Sequence, residues 1–399
     1  MKATDLIMSS HNAQGQMLGY LYQVRYALNL ILDSDNPDYQ ISLEKFDDVA
    51  FEKNGLPVEM LQLKHHGHPG NLSDTSTDLW RTLNVWMDML NAHPTILNHT
   101  DFIIITTADV AENSAAFYLQ NNKSDKAYDL LLCVAETNKN QTNRDFYQAF
   151  IDAAAKNEQF LKDFIAHIRI VSSASNITGI EKRIEKQIRY SCKPQFTKYV
   201  LERVEGWWFK SCVDALSSDN PIITTQREIR NKVVDISRQY DDDNLPIEFS
   251  SLEADLSKIA PEDRIFLEQL KLLRCSSRTL DLAIRDYYRA YAERSNWIRK
   301  GLIYSNELED YEDRLKDAWE HAYAEMAEDI DYGDDVSEED KIKAGRALFR
   351  KLSDKDIRIR DRVNAPYVMR GTYHDMANSL KIGWHIDFYE RLKNLLVGV

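Results

Sequence analysis

Phe102-Ile103-Ile104-Ile105-Thr106-Thr107 runs for six residues without a charge. Such a run suits a strand buried at the centre of a sheet. The flanking segments say what surrounds it. Gln14–Leu32 carries Leu18, Leu21, Val24, Leu28 and Ile31 at helical spacing, and Asn36-Pro37-Asp38 breaks the pattern. Ile41–Phe51 alternates like one strand, with Ile41, Leu43, Val49 and Phe51 sharing a parity. Asn54-Gly55-Leu56-Pro57 signals a turn into a second strand, Val58–His66, so the pair reads as a hairpin. Leu79–Leu90 is an amphipathic helix carrying Trp80 and Trp86, Phe146–Phe164 is helical, and Ile168–Val171 is a further short strand. Beyond about Asn176 the strand patterns stop. Phe196–Leu216, Gln226–Tyr240, Glu262–Leu273 and Arg278–Ile303 all carry helical periodicity, and Tyr240–Pro246, with Asp241, Asp242 and Asp243, reads as an exposed connection. The expected architecture is an α/β N-terminal domain, a mixed central sheet flanked by helices, followed by a mainly α-helical C-terminal domain.

Composition narrows the class. With 13 Gly and 9 Pro in 399 residues, breakers are sparse, as in a helix-rich globular protein. No apolar run approaches the roughly 20 residues that span a bilayer, so no membrane association is expected. Met1–Asp5 lacks the apolar core of a signal peptide, and Cys133, Cys192, Cys212 and Cys275 are isolated from one another. The expected location is a reducing cytoplasm, without a disulfide scaffold or a structural zinc module. Net charge is −14, and Glu307–Asp340 alone holds 16 acidic and two basic residues, so the rest of the chain sums to zero. That stretch is a solvated helix with an acidic loop, an acidic docking surface, or a DNA mimic. Lys182, Lys186 and Arg189 fall near one helical face and are candidate contacts to a nucleic-acid backbone; ordinary salt bridging is the alternative.

The chemistry sits on the predicted hairpin. Glu44 and Asp48 share a parity with Phe46, which on a regular strand puts both carboxylates on one face. Gln62 and Lys64 are co-facial on the next strand, with Leu61 and Leu63 turned the other way. Two carboxylates, an amide and an ammonium can therefore converge. Phosphodiester hydrolysis needs this set: carboxylates to hold Mg²⁺ (or Mn²⁺), a metal to polarise the phosphoryl oxygen, and a lysine to orient or deprotonate water. The Leu63 carbonyl is a further candidate ligand. Solvent-facing polar strand surfaces are the competing reading for all four side chains. Asp47 has the wrong parity unless a bulge intervenes, and remains a second candidate ligand. Gln23, on the first helix, could fix a catalytic carboxylate. His65 and His66 could line a nucleic-acid cleft; with His68 alone they make a poor zinc site. Trp207-Trp208 reads as packing bulk or, less simply, as a base-stacking platform. No P-loop, GxGxxG or GxSxG motif is present, so any ATP dependence is expected to come from a partner.

The order helix, acidic strand, hairpin, Gln-x-Lys strand, helix, buried strand resembles that of restriction-endonuclease-like folds, and the residues resemble the PD-(D/E)xK motif in its variant with Gln at the third position. Asp48 matches the acidic ligand and Lys64 the catalytic lysine. Gln62 leaves one fewer negative ligand, for which Glu44 or Glu59 is the candidate replacement, although Glu59 has the wrong parity for the Gln62 face. More closely, Gly19-Tyr20-Leu21-Tyr22-Gln23, Leu43-Glu44-Lys45-Phe46-Asp47-Asp48-Val49, Gln62-Leu63-Lys64-His65-His66 and Asp78-Leu79-Trp80-Arg81-Thr82-Leu83 are similar to the double-stranded DNA endonuclease domain of CD-NTase-associated (CBASS) effectors. Near the C-terminus, Arg370-Gly371-Thr372-Tyr373-His374-Asp375-Met376-Ala377 and Ile382-Gly383-Trp384-His385 resemble the C-terminal domain of effectors in three-component ABC-ATPase defence systems, of which Lamassu is one.

These resemblances imply a nuclease domain over 1–205 and a helical docking and regulatory domain over 206–399. They imply a cytoplasmic anti-phage or anti-plasmid effector that cleaves double-stranded DNA. An SMC-like ABC ATPase and a small third subunit would hold it inactive, and release and self-association into a homo-oligomer would activate it. A non-catalytic subunit that keeps the fold, and a nuclease acting on RNA, are the alternatives. From the residues alone, Trp384, His385, Phe388 and Tyr389 could equally form a C-terminal core cluster.

Overall fold

The structure is a computed structural model that describes residues 3–64, 71–218, 222–253, 265–304, 306–330 and 336–398. They form two compact units, residues 1–237 and 238–399. The expected 205/206 boundary falls inside a continuous helix, Thr197–Ser217, and the units part at 237/238 instead.

The first unit opens with α1 (Ala3–Asp33), followed by β1 (Gln40–Leu43), β2 (Val49–Lys53), β3 (Leu56–Lys64), the short β4 (Asn71–Leu72) and α2 (Thr77–Ala92). Then come β5 (Asp101–Thr106), β6 (Asp109–Val110), α3 (Ala115–Gln120), α4 (Ser124–Thr137), α5 (Arg144–Ala166) and β7 (Ile168–Val171). The helices α6 (Ile177–Ile188) and α7 (Thr197–Ser217), β8 (Ile222–Thr225) and α8 (Gln226–Ser237) complete it. The main sheet has the order β7-β5-β3-β2-β1-β8. It is mixed: β3, β5 and β7 are parallel, while β2, β1 and β8 are joined by antiparallel pairings.

The apolar run of β5 sits inside this sheet, between β3 and β7. Ala50, Met60, Phe102, Ile104, Ile168 and Ile170 face a layer built from α2, α4 and α5, with Trp80, Trp86, Phe150 and Phe164 in its core. On the other face α1 lies over β1 and β3, backed by α6 and α7. The β2–β3 turn has positive φ at Asn54 (56°) and Gly55 (79°), which is why an Asn-Gly pair occupies it.

Two departures from the sequence reading bear on function. Ile41–Phe51 is not one strand. Residues 44–48 form a tight bend, and β1 pairs back on β2 with Ile41 opposite Phe51 and Leu43 opposite Val49. The four apolar residues keep one face either way, as cross-strand neighbours, so their parity could not reveal the bend. Strands also do not stop at Asn176: β8 adds to the sheet edge antiparallel to β1. A four-residue strand defined by a partner some 180 positions earlier leaves no periodic trace.

The second unit is helical: α9 (Ile265–Leu272), α10 (Ser277–Arg299), α11 (Glu307–Ile330), α12 (Glu338–Ser353), α13 (Pro366–Asn378) and α14 (Phe388–Leu392). The Arg370–Ala377 and Ile382–His385 segments are packing devices. At Gly371 a Cβ would sit 2.2 Å from the Asp286 carbonyl oxygen, so only glycine lets α13 lie this close to α10. Arg370 pairs with Asp286 at 2.6 Å and Asp375 with Arg294 at 2.6 Å. The Gln269 amide donates to the Ala377 and Ile382 carbonyls and accepts from the Trp384 N–H. Trp384, His385 and Phe388 are buried, as a core cluster requires, whereas Tyr389 is exposed. The Tyr240–Pro246 connection is exposed only at Asp241–Asp243; Leu245 is buried. The acidic stretch is partly neutralised within the unit: Glu307 pairs with Arg360, Glu312 with Lys381, Glu325 with Lys351 and Glu338 with Arg391.

Candidate active site

β2 begins only at Val49, opposite Leu61, while β3 runs on past that pair to Lys64. Residues 62–64 therefore lose their β2 partner where the 44–48 bend begins. The Asp48 side chain takes the place of the missing ladder: its Oδ2 accepts the Leu63 N–H at 2.7 Å. In an extended strand the carbonyl of a residue points to the same side as its N–H, so the Leu63 carbonyl also faces the bend.

The remaining polar groups gather on Asp48. The side-chain amides of Gln62 and Gln23 hydrogen-bond its carboxylate, and the Lys64 charge acts on it. Burial pushes the Asp48 carboxyl above the usual carboxylate range, against the pull of the Leu63 N–H, Gln62, Lys64 and Gln23. Glu44 is close enough for its own carboxyl to be pushed up, first by burial and then by Asp48. The bend thus brings Glu44, Asp48, Gln62, Lys64 and Gln23 together. The convergence of Glu44 and Asp48 has a different cause from the one expected. They do not share a strand face. Glu44 adopts a left-handed conformation, φ 55°, and its N–H donates to the Asp48 carbonyl at 3.3 Å, which folds the bend back on itself.

Asp47 is buried beside them. Its Oδ2 accepts the Trp86 indole N–H at 2.5 Å and its Oδ1 accepts the Asp48 N–H at 3.0 Å. Burial and the neighbouring Asp48 push its carboxyl up to about 7, against Trp86 and Lys64. Trp86, which the sequence marks only as part of the amphipathic helix Leu79–Leu90, is a further member of the site. An Asp-Asp doublet one residue out of register with the strand was the available signal. Glu59 is elsewhere: it lies opposite Asp101 on β5, whose charge adds to burial in raising its carboxyl.

Of the candidate nucleic-acid contacts, Lys182, Lys186 and Arg189 are exposed on or just after α6, and the Arg189 guanidinium lies 4.4 Å from the Tyr190 ring centre. His65 and His66 lie outside the described residues. Trp208 is packing: it is buried and its indole donates to the Val24 carbonyl at 2.7 Å.

Among the described residues, ligand atoms of Glu338, His385 and Asp387 come within 4.8 Å of one another in the second unit. This group is already an ion-pair network. Arg391 grips Glu338 and Asp387, Lys341 binds Asp387, and the His385 Nδ1 accepts the Asp387 N–H. With Nδ1 an acceptor, Nε2 carries the ring proton and is not available as a metal ligand.

Among the described residues no helix is long and apolar enough to cross a membrane. No curated protein matches the chain. Among solved structures it is similar to the Cap4 SAVED/CARF-domain containing receptor of Moraxella osloensis, with 14% identity over 64% of this chain and 60% of that one at a TM-score of 0.33. It is also similar to the Cap4 receptor of Acinetobacter baumannii with a cyclic trinucleotide, with 15% identity over 64% and 61% at a TM-score of 0.32. The chain thus spans about three fifths of these receptors, and likeness at such scores is too slight to assign an activity. A family model, C-terminal domain 7 of the ABC-three component (ABC-3C) systems, matches residues 266–392, about a third of the chain and most of its helical unit. The helical unit thus carries a region similar to the C-terminal domain of proteins of ABC-three component (ABC-3C) systems.

Proposed function

We propose that this chain is the nuclease effector of an ABC-3C defence system, a metal-dependent endonuclease that hydrolyses phosphodiesters in double-stranded DNA on a restriction-endonuclease-like N-terminal fold. The observation that carries the reading is the convergence on Asp48 of Glu44, Gln62, Lys64 and Gln23 where β2 leaves β3.

The donor set fits Mg²⁺ or Mn²⁺. It offers the carboxylates of Asp48 and Glu44 and the Leu63 carbonyl, all hard oxygen, beside a single lysine. Bound there, the ion would polarise a phosphoryl oxygen and lower the pKa of water. Gln62 and Gln23 hold the Asp48 carboxylate in place through their amide N–H groups. The Lys64 ammonium is placed to hold the attacking water and to offset negative charge growing at phosphorus. The exposed cations Lys182, Lys186 and Arg189 supply phosphate contacts along the duplex.

The helical unit is the docking part, as in Lamassu-type systems. It would tie the nuclease to an SMC-like ATPase and a small third subunit until release. Self-association would then raise DNA avidity, which a single domain with a sparse basic surface lacks. The test is cleavage of supercoiled plasmid by the purified full chain with Mg²⁺, over a rising protein concentration, beside Lys64→Ala and an EDTA control. Wild type should cut and both controls should not, with a loss of about a hundredfold or more for Lys64→Ala. Equal behaviour of wild type and Lys64→Ala at every concentration removes the catalytic assignment. Faster cutting of a matched RNA duplex moves the substrate to RNA.

A further inference from the structure

We propose that Trp86 is a positioning residue for the Asp48 carboxylate, acting through Asp47, and that Asp47 is an anchor and not a ligand of the divalent ion; this rests on the metal-dependent reading of the site. Three observations support it. Trp86 is fully buried on α2, with its ring 5.1 Å from that of Phe102 on β5 and 6.5 Å from that of Phe164 on α5, so its N–H is a fixed donor. That N–H holds Asp47 Oδ2 at 2.5 Å, and the other oxygen, Oδ1, holds the Asp48 N–H at 3.0 Å. The 44–48 bend lies outside the β-ladder, so bonds of this kind, and not strand pairing, set the direction of the Asp48 side chain.

The result is a relay of position. The aromatic core fixes the indole, the indole fixes the Asp47 carboxyl, and that carboxyl fixes the backbone from which Asp48 projects toward Leu63. Both Asp47 oxygens already accept from N–H donors, one of them on a fully buried indole, so its carboxyl is oriented by the core while that of Asp48 is turned to the open strand end at Leu63. Outer partners of this sort tune a ligand without touching the ion, and their loss weakens metal binding about 10- to 100-fold.

The experiment measures Mn²⁺ binding by calorimetry to the full chain as wild type, Trp86→Phe, Asp47→Ala and the double variant. Phenylalanine keeps a ring in the core and removes the donor. Trp86→Phe should weaken Mn²⁺ binding about tenfold, Asp47→Ala by a similar factor, and the double variant by no more than Asp47→Ala alone. Losses that multiply in the double variant, or a Trp86→Phe affinity within about twofold of wild type, overturn the relay. Abolition of binding by Asp47→Ala beside a mild Trp86→Phe effect makes Asp47 a ligand and also overturns it.

Amide hydrogen exchange without metal separates this inference from the metal reading. Trp86→Phe should speed exchange at Asp48 and Leu63 about tenfold while the β5 amides, such as Ile104, keep their protection. Unchanged exchange at Asp48 refutes the anchor even if Mn²⁺ binds. Wild type that binds no Mn²⁺ defeats the metal reading and leaves the anchor to be decided by exchange. Should Trp86→Phe not fold, Asp47→Ala carries the same exchange test.

Discussion

His374 makes the helical unit sensitive to acid. Its ring is buried against Phe266 at 5.1 Å, Phe349 at 6.1 Å and Trp384 at 6.4 Å between centroids, and its Nδ1 has no hydrogen-bond partner. Burial, helped by the Arg370 charge, lowers its pKa from 6.5 to about 3. The unfolded chain takes up this proton below pH 6.5, and the folded one does not until about pH 3. The contribution to stability is therefore complete above pH 6.5 and is lost as pH falls from there towards 3. Each pH unit in that window costs up to ~1.4 kcal/mol, and because the unfolded imidazole is already half protonated at 6.5 the step from 6.5 to 5 costs about 1.6 kcal/mol. The control is His374→Phe, which keeps a ring in the aromatic cage and cannot titrate. Hydrogen-exchange protection of α10 and α13 peptides would be compared between the two proteins at each pH, so that intrinsic exchange cancels. Wild type should lose protection relative to His374→Phe by roughly 16-fold between pH 6.5 and 5, the equivalent of that cost. Parallel pH profiles would show that the ring is solvated or already paired, and would refute the reasoning.

Other perturbations have equally definite outcomes. Gly371→Ala forces a Cβ against the Asp286 backbone, which cannot swing aside as a side chain can. It should destabilise the helical unit by about 2 kcal/mol or more, read as earlier loss of α10 and α13 protection in urea. In the first unit Thr225 and Glu228 form a reciprocal cap, Thr225 N–H to Glu228 Oε2 at 2.8 Å and Glu228 N–H to Thr225 Oγ1 at 3.2 Å. Glu228→Ala should cost about 1 kcal/mol in thermal or urea unfolding. Because the cap lowers the Glu228 pKa, its benefit should be present at neutral pH and fade as acid titrates the carboxyl, whereas Glu228→Gln should show no such fade. Glu52 is fully buried and meets Lys45 at 2.5 Å, so Lys45→Met strands a carboxylate and should cost about 3 kcal/mol, most of it recovered in Lys45→Met/Glu52→Gln. A single variant as stable as wild type would mean that the pair is solvated.

Most of the first unit was legible because its elements are local. Helical spacing located the helix that became α1, the apolar run gave β5, and Asn-Gly gave the β2–β3 hairpin. Gln62 and Lys64 were legible too, because β3 is regular from Glu59 to Lys64, where it pairs without a break with β5, and parity holds there. What escaped depended on partners distant in sequence. β8 exists because β1 offers it an edge, and Trp86 meets Asp47 only when α2 folds across the sheet. The 44–48 bend is the instructive case. Parity placed Glu44 and Asp48 together for a reason the structure does not use, since a left-handed Glu44 and one backbone bond close them instead. Period-2 patterns fix which face a residue takes but are blind to a reversal that returns the chain to the same face.

That reversal explains why the carboxyls sit where a scaffold alone would not put them. Glu44, Asp47 and Asp48 lie within five residues; burial raises all three pKa values, and the Asp48 charge adds to it at Glu44 and Asp47. Near neutral pH the cluster works against folding, since the unfolded chain would ionise each group freely. The surroundings only partly offset this, with one lysine, two amides and three N–H donors. A surface bend selected for stability would scatter such groups into water. On the proposed metal reading, a bend that keeps them buried at a sheet end, aimed at a strand whose ladder has been interrupted, would let a cation relieve that cost on binding. The cost carried by the free protein and the gain expected on binding are two sides of one arrangement. Asp48→Asn should therefore raise the unfolding midpoint of the free protein while removing its response to Mn²⁺; a variant that unfolds earlier than wild type at pH 7.5 would show that Asp48 is there for the Leu63 bond alone.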